Sequence, residues 1–167
     1  MNEIRKPQTP PQGASGATGA MAFDLSLSGA MVEKPDYTLV FDGGSLGNPG
    51  PGYGSYALFR HQDGKSRVVR LDLGPDMTNN EAEYDALLAG LEDLLRTIEK
   101  AKRDPGQYGL EVRGDSELVI KQLMGRWKAK NQRMRARRNR AMALMQRFKG
   151  YRLVHQPRED TVKLLGH

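Results

Sequence analysis

The chain has 167 residues, of which 38% are hydrophobic and 28% are charged, and it contains no cysteine. This length suits one domain with its own core, and the composition is typical of a soluble globular protein. A disulfide framework and a thiolate metal site are excluded, and there is no run of the roughly 18 to 20 apolar residues that a membrane span requires. We expect a monomer in the reducing cytoplasm that uses no small-molecule organic cofactor.

Residues 1–35 are predicted to form a disordered N-terminal tail, because prolines, glycines and small residues dominate and little can be buried. No sustained apolar run in this segment suggests a secretory signal. The folded domain is therefore predicted to span residues 36–167.

Three strands are predicted in the first part of this domain. Residues 37–41 favour a strand and are followed by turn-forming residues at 42–44 and 47–52. Residues 53–60 and 67–73 are the next two strand candidates, so the domain is expected to open with an antiparallel meander.

A helical pattern follows residue 78. Apolar side chains recur at spacings of three and four residues, which predicts an amphipathic helix with Thr78 or Asn79 as its N-cap. These side chains are Tyr84, Leu87, Leu88, Leu91, Leu94, Leu95 and Ile98.

Strands and helices alternate in the rest of the chain. Leu110 and Val112 predict a fourth strand, residues 118–124 and 133–149 predict two further helices, and residues 151–155 predict a last strand. A meander followed by alternating elements predicts an α/β fold, with a mixed five-stranded sheet and helices packed on it.

Positive charge is concentrated late in the chain. The formal net charge is +6, but thirteen Lys or Arg residues and no Asp or Glu lie between Leu118 and Arg158. A block of one sign in a folded region favours a polyanion as partner, nucleic acid above all. The alternative is a solvated basic helix.

Three acidic residues lie where strands end or helices begin: Asp42, Glu83 and Asp115. Functional groups gather at such an edge of an α/β sheet, and clustered carboxylates repel one another unless cations such as Mg²⁺ or Mn²⁺ lie between them. Taken singly, each has an ordinary alternative, with Asp42 in a turn, Asp115 capping a helix and Glu83 on a solvated helix face.

The segments around these acids resemble three signatures of one family. Residues 42–52 read DGGSLGNPGPG, residues 78–84 read TNNEAEY and residues 114–122 read GDSELVIKQ. In order and spacing they are similar to the signatures of type 1 ribonuclease H, in the variant common in archaea and some bacteria. The resemblance covers about residues 37–159 and implies a ribonuclease H-like fold.

The resemblance implies an endoribonuclease that cuts the RNA strand of RNA–DNA hybrids. Asp42, Glu83 and Asp115 would hold two Mg²⁺ ions, or Mn²⁺ as a substitute. One ion would activate water and the other would stabilise the leaving 3′ oxygen, leaving a 5′-phosphate.

The resemblance also implies a hybrid-binding surface. Short polar residues would contact sugars and base edges in the minor groove, and basic residues would hold DNA phosphates. The first set is Ser45, Asn48, Asn79, Asn80 and Ser116, together with Gly43, and the second is Lys121, Arg126, Lys128 and Lys130, with the aromatic Trp127 among them. Helix capping is an alternative for the two adjacent asparagines, and core packing is equally expected for Trp127.

The chain departs from the family pattern in one respect. A fourth carboxylate is expected near residue 165, at the start of a closing helix, but Leu165 stands there and the helix is apparently truncated. Asp160, Glu159 or His167 could substitute. Loss of this ligand makes a catalytically impaired nucleic-acid-binding domain the alternative function, and a basic structural module without substrate a third.

Overall fold

The computed structural model describes residues 34–166. The tail expected at residues 1–35 lies almost entirely outside them, as does His167. No helix within residues 34–166 is long and apolar enough to cross a membrane.

A mixed five-stranded sheet forms the centre of the domain. Its strands are β1 (Tyr37–Ser45), β2 (Gly52–Arg60), β3 (Ser66–Asp72), β4 (Gly109–Gly114) and β5 (Gly150–His155), in the order β3-β2-β1-β4-β5. The meander β1-β2-β3 is antiparallel, whereas β4 and β5 run parallel to β1. The predicted fold class is confirmed.

Within residues 34–166, four α-helices accompany the sheet. They are α1 (Asn79–Lys100), α2 (Glu117–Leu123), α3 (Gln132–Met145) and α4 (Arg158–Leu165), and a 3₁₀ turn at Pro105–Gln107 precedes β4. Helix α3 ends four residues earlier than the sequence pattern predicted. The backbone turns at Gln146, although Phe148 remains in the core.

Helix α1 is the central packing element. Thr78 is its N-cap and forms a capping box with Glu81. Its apolar stripe packs on β1 and β2 and joins the main core, and Gly90 permits close packing, since a Cβ there would lie 2.9 Å from Leu39 Cδ1.

Helix α4 lies against the opposite face of the sheet. Its Leu165 is buried with Val40 and Ala57. The chain therefore has a short closing helix of eight residues, and this helix covers apolar sheet surface.

Candidate metal centre

The sheet register brings two of the three acids together. Strand β1 continues past its predicted end because Asp42 pairs with Ser55 of β2, so Asp42 is a strand residue and not a turn residue. On the other side, Phe41 is the parallel partner of Gly114, which sets Asp115 beside Asp42. Their side chains are only 5% and 9% exposed.

Glu83 reaches the same point from the second turn of α1. Gly43 makes this possible, because a Cβ there would lie 2.4 Å from the carbonyl oxygen of Ala82. Asp42, Glu83 and Asp115 each offer a carboxylate oxygen, and these atoms lie within 4.8 Å of one another. We call this group the acid cluster.

The ordinary alternatives for these acids are wrong. Ser116, not Asp115, caps α2 by accepting a hydrogen bond from the Val119 amide. Glu83 does not lie on a solvated face, since its Oε1 atom is shielded from solvent.

The acid cluster has too few partners for its charge. Oε1 of Glu83 has no hydrogen-bond partner. Burial, and then the nearby charges of Asp42 and Asp115, raises the pKa of Glu83 to about 9. Without a bound metal ion, the cluster therefore holds a proton on Glu83 at neutral pH.

One cation does contact the cluster. Nη1 of Arg158, in the first turn of α4, lies 2.9 Å from Oδ1 of Asp42 and 3.0 Å from Oδ2 of Asp115. The hydrogen bond to Asp115 raises the pKa of Arg158. The sequence did not assign this residue to the site, and it counted only as the last member of the basic block between Leu118 and Arg158.

These features fit a hard divalent cation. The ligand atoms are all carboxylate oxygens, which Mg²⁺ and Mn²⁺ prefer. The Oε1 atom of Glu83 has no hydrogen-bond partner within the protein, so it is available to a metal ion. Such a cation would relieve the repulsion among the three carboxylates.

No fourth acid joins the cluster within residues 34–166. The three-membered acid cluster is the only group of this kind among them, so Asp160 and Glu159 are not part of it. Leu165, at the expected position of the fourth acid, is 1% exposed and belongs to the core. His167 lies outside the described residues.

The polar residues near the cluster are organised by one another. Oδ1 of Asn79 accepts hydrogen bonds from the Ser45 amide at 2.9 Å and the Ser45 hydroxyl at 3.2 Å. Oδ1 of Asn48 accepts from the Asn79 amide at 3.0 Å. These bonds fix the β1–β2 loop on the N-terminus of α1, and both Asn79 and Asn80 remain exposed.

The residues predicted to hold DNA phosphates lie on α2 and in the segment that joins α2 to α3. Lys121 pairs with Glu117, and its Nζ atom lies 5.0 Å from the centre of the Trp127 ring. Trp127 is half-buried and not a core residue, whereas Arg126, Lys128 and Lys130 are exposed.

Much of the remaining positive charge is neutralised internally. Four arginines of α3 and the turn after it pair with acids of α1: Arg133 with Glu81, Arg137 with Asp85, Arg140 with Glu92 and Arg147 with Glu99. For these four arginines α1 supplies the opposite charge, so the preference for a polyanion that the basic block suggested does not extend to them. The exposed side chains of Arg126, Lys128 and Lys130 are the part of the basic block that favours a polyanion as partner.

Comparisons with known proteins agree with this geometry. A family model described as reverse transcriptase-like matches residues 40–162. The chain is 42% identical over 118 residues to ribonuclease HI of Halobacterium salinarum, covering 71% of this chain and 55% of that protein. It is 36% identical over 118 residues to a bifunctional protein of Mycobacterium tuberculosis, covering 70% of this chain and 30% of that protein. The chain thus spans about half of the first relative and less than a third of the second.

Solved structures give the same result. Ribonuclease H1 from Halobacterium salinarum superimposes with a TM-score of 0.66 at 36% identity, covering 77% of this chain and 90% of that chain. LC11-RNase H1 in complex with an RNA/DNA hybrid gives 0.64 at 29% identity, covering 77% and 90%. The chain belongs to the type 1 ribonuclease H family.

Proposed function

We propose that this protein is an endoribonuclease that hydrolyses the RNA strand of RNA–DNA hybrids with the help of Mg²⁺, leaving 5′-phosphate and 3′-hydroxyl ends. The observation that carries the proposal is the acid cluster, with its three convergent carboxylates and the unpartnered Oε1 of Glu83. A related structure holds an RNA/DNA hybrid, which supports the choice of substrate.

The acids have a defined role in this proposal. Asp42, Glu83 and Asp115 would bind two Mg²⁺ ions, with Mn²⁺ as a substitute. When bound, the metal supplies activation of the attacking water and stabilisation of the leaving 3′ oxygen. The sheet and α1 hold the three carboxylates in place, so the protein contributes a preorganised anionic site and no covalent nucleophile.

The surrounding residues would bind the hybrid. Asn80, Asn79, Asn48 and Ser116, with Ser45 and the backbone at Gly43, would contact sugars and base edges of the minor groove. The bonds among Ser45, Asn48 and Asn79 favour this role because they hold the loop in one position. Exposed Arg126, Lys128 and Lys130, with Lys121 and Trp127, would hold phosphates of the DNA strand.

A second candidate is a hybrid-binding domain with impaired catalysis. It is favoured by the replacement of the fourth acid by buried Leu165 and by the contact of Arg158 with the acid cluster. Both candidates use the same surface, so they differ in cleavage and not in affinity for the hybrid.

One experiment separates the candidates. A labelled RNA annealed to DNA is incubated with the protein in Mg²⁺, Mn²⁺ or EDTA, and the products are resolved by length and end group. Asp42→Asn is compared with Asp63→Asn, which removes an acid paired with Arg60, outside the acid cluster. We expect RNA-strand cleavage that needs the divalent ion, is lost in Asp42→Asn and persists in Asp63→Asn.

The opposite outcome is equally informative. The folded protein could bind the hybrid with an affinity that decreases with salt and yet cleave it with neither metal. That result would overturn the proposed nuclease activity and support the hybrid-binding domain. Cleavage that survives Asp42→Asn would remove the acid cluster from the mechanism.

A further inference from the structure

Arg158 occupies the position of a cation between two proposed metal ligands. Its Nη1 atom bridges Oδ1 of Asp42 and Oδ2 of Asp115 at 2.9 and 3.0 Å. This is one positively charged group shared by two nearly buried carboxylates. It does not satisfy Glu83, whose Oε1 remains without a partner.

We propose that Arg158 is a tethered counter-ion that competes with the divalent metal for Asp42 and Asp115 and must swing away before the metal binds between them. The inference rests on the proposed metal site. A Mg²⁺ ion lies about 2.0 to 2.1 Å from its carboxylate ligands. A guanidinium nitrogen bonded to the same two carboxylates would crowd and repel an ion placed between them.

The side chain of Arg158 is free to make this movement. It is 61% exposed, so the guanidinium can exchange the two carboxylates for water. The helix that carries it is anchored separately, because Leu165 is buried in the core and the Thr161 hydroxyl accepts a hydrogen bond from Nε2 of Gln156 at 3.0 Å. Metal binding therefore requires a rotamer change and no displacement of α4.

Competition of this kind has a thermodynamic consequence. The apparent metal affinity equals the intrinsic affinity multiplied by the fraction of molecules in which Arg158 has left the site. Arg158 thus raises the metal concentration at which the site fills. It also compensates part of the negative charge while the site has no metal, a role for which a fourth carboxylate would be unsuited.

The test measures Mn²⁺ binding to protein without nucleic acid, with free Mn²⁺ quantified by EPR. Arg158→Gln removes the competing charge. Arg140→Gln is the matched control, since it removes the same charge from an ion pair with Glu92 outside the acid cluster. If about 70 to 97% of the molecules hold the Arg158 contact, Arg158→Gln should tighten Mn²⁺ binding by about 3- to 30-fold.

Two further variants make the result decisive. Arg158→Lys keeps a positive charge but not the guanidinium, so its affinity should lie between those of the wild type and Arg158→Gln. Asp42→Asn should weaken Mn²⁺ binding in any background. Circular dichroism of each variant verifies that it is folded.

Failure of this inference differs from failure of the metal site. Mn²⁺ binding that needs Asp42 but is unchanged or weaker in Arg158→Gln would overturn the competition and leave the proposed function intact. Mn²⁺ binding that is absent, or indifferent to Asp42, would overturn both. An equal gain in affinity in Arg140→Gln would show that net charge, not the bridging contact, governs metal binding.

Discussion

Two groups of polar side chains, each built around strands β1 and β4, behave in opposite ways. The first is the acid cluster, at the ends of the two strands. The second, which we call the Glu111 network, consists of Thr38, Glu111, Arg113 and Arg152 and lies nearer the strand starts. Glu111 accepts hydrogen bonds from the Thr38 hydroxyl at 3.0 Å, from Nε of Arg113 at 2.7 Å and from Nε of Arg152 at 3.0 Å.

The two groups differ in how completely charge is matched. Burial alone would raise the pKa of Glu111, but hydrogen bonds from Arg113 and Arg152 lower it below its usual range. In the acid cluster, burial and neighbouring acids instead raise the pKa of Glu83. A network with two cations for one anion serves stability, whereas three anions around one exposed guanidinium form a site that is completed by a ligand.

The largest expected effect comes from Glu83→Gln. We expect hybrid cleavage to fall by more than about 100-fold, because even a residue that only supports a metal ligand contributes about 10- to 100-fold. Single-turnover cleavage at saturating Mg²⁺ measures the effect. Activity within tenfold of the wild type would show that the unpartnered carboxylate is not a metal ligand.

Glu111→Gln should instead reduce stability. Arg113 and Arg152 lose their shared carboxylate, but both side chains reach solvent. We therefore expect a loss of about 2 to 4 kcal/mol in the free energy of unfolding, somewhat less than the roughly 3 to 5 kcal/mol for breaking a fully buried pair. Urea denaturation in EDTA measures it. Glu117→Gln, which breaks an exposed pair with Lys121, is the control and should change stability by less than about 1 kcal/mol. Equal losses of unfolding free energy in Glu111→Gln and Glu117→Gln would contradict the proposal that the Glu111 network serves stability.

The sequence predicted the acid cluster but not the Glu111 network. The three acids belong to local motifs, and strand ends that meet at one edge of a sheet can be inferred from element order. Glu111 was not singled out from the sequence, and its arginine partners come from β4 itself and from β5, 41 positions later. Contacts at such separations depend on register, which the sequence pattern alone did not specify.

Other features escaped prediction for related reasons. The place of Arg158 depends on the direction of a long side chain from the first turn of α4. The pairing of the α3 arginines depends on that helix lying along α1, where the acids are 48 to 52 positions away in sequence. Thr78, by contrast, could be named as a cap because the capping box is local.

A smaller effect is expected in the pH dependence of the stability of the metal-free protein. The pKa of Glu83 is about 9 in the folded chain and near its ordinary value of 4.5 in the unfolded chain. Between these values the folded state binds a proton that the unfolded state does not, so stability falls as pH rises. We expect a loss of about 1 to 2 kcal/mol between pH 6 and pH 8, below the ceiling of about 1.4 kcal/mol per pH unit.

This pH dependence can be assigned to Glu83 by substitution. In urea denaturation with EDTA present, the free energy of unfolding should vary less with pH for Glu83→Gln than for the wild type. Glu111 contributes little to this pH dependence above pH 6, because its pKa is lowered. A wild-type stability that rises from pH 6 to pH 8 would contradict the assignment.

The smallest effects should come from the ion pairs between α1 and α3, which match charge as the Glu111 network does but in contact with water. The side chains of Arg137 and Asp85 are 22% and 28% exposed, and those of Arg140 and Glu92 are 58% and 37% exposed. Double-mutant cycles with glutamine should give a coupling energy below about 1 kcal/mol for each pair, larger for Arg137–Asp85 and decreasing with salt. Equal coupling energies that do not change with salt would show that burial does not determine the strength of these two ion pairs. The stability that the Glu111 network provides would then be due to two arginines sharing one carboxylate, and not to its burial.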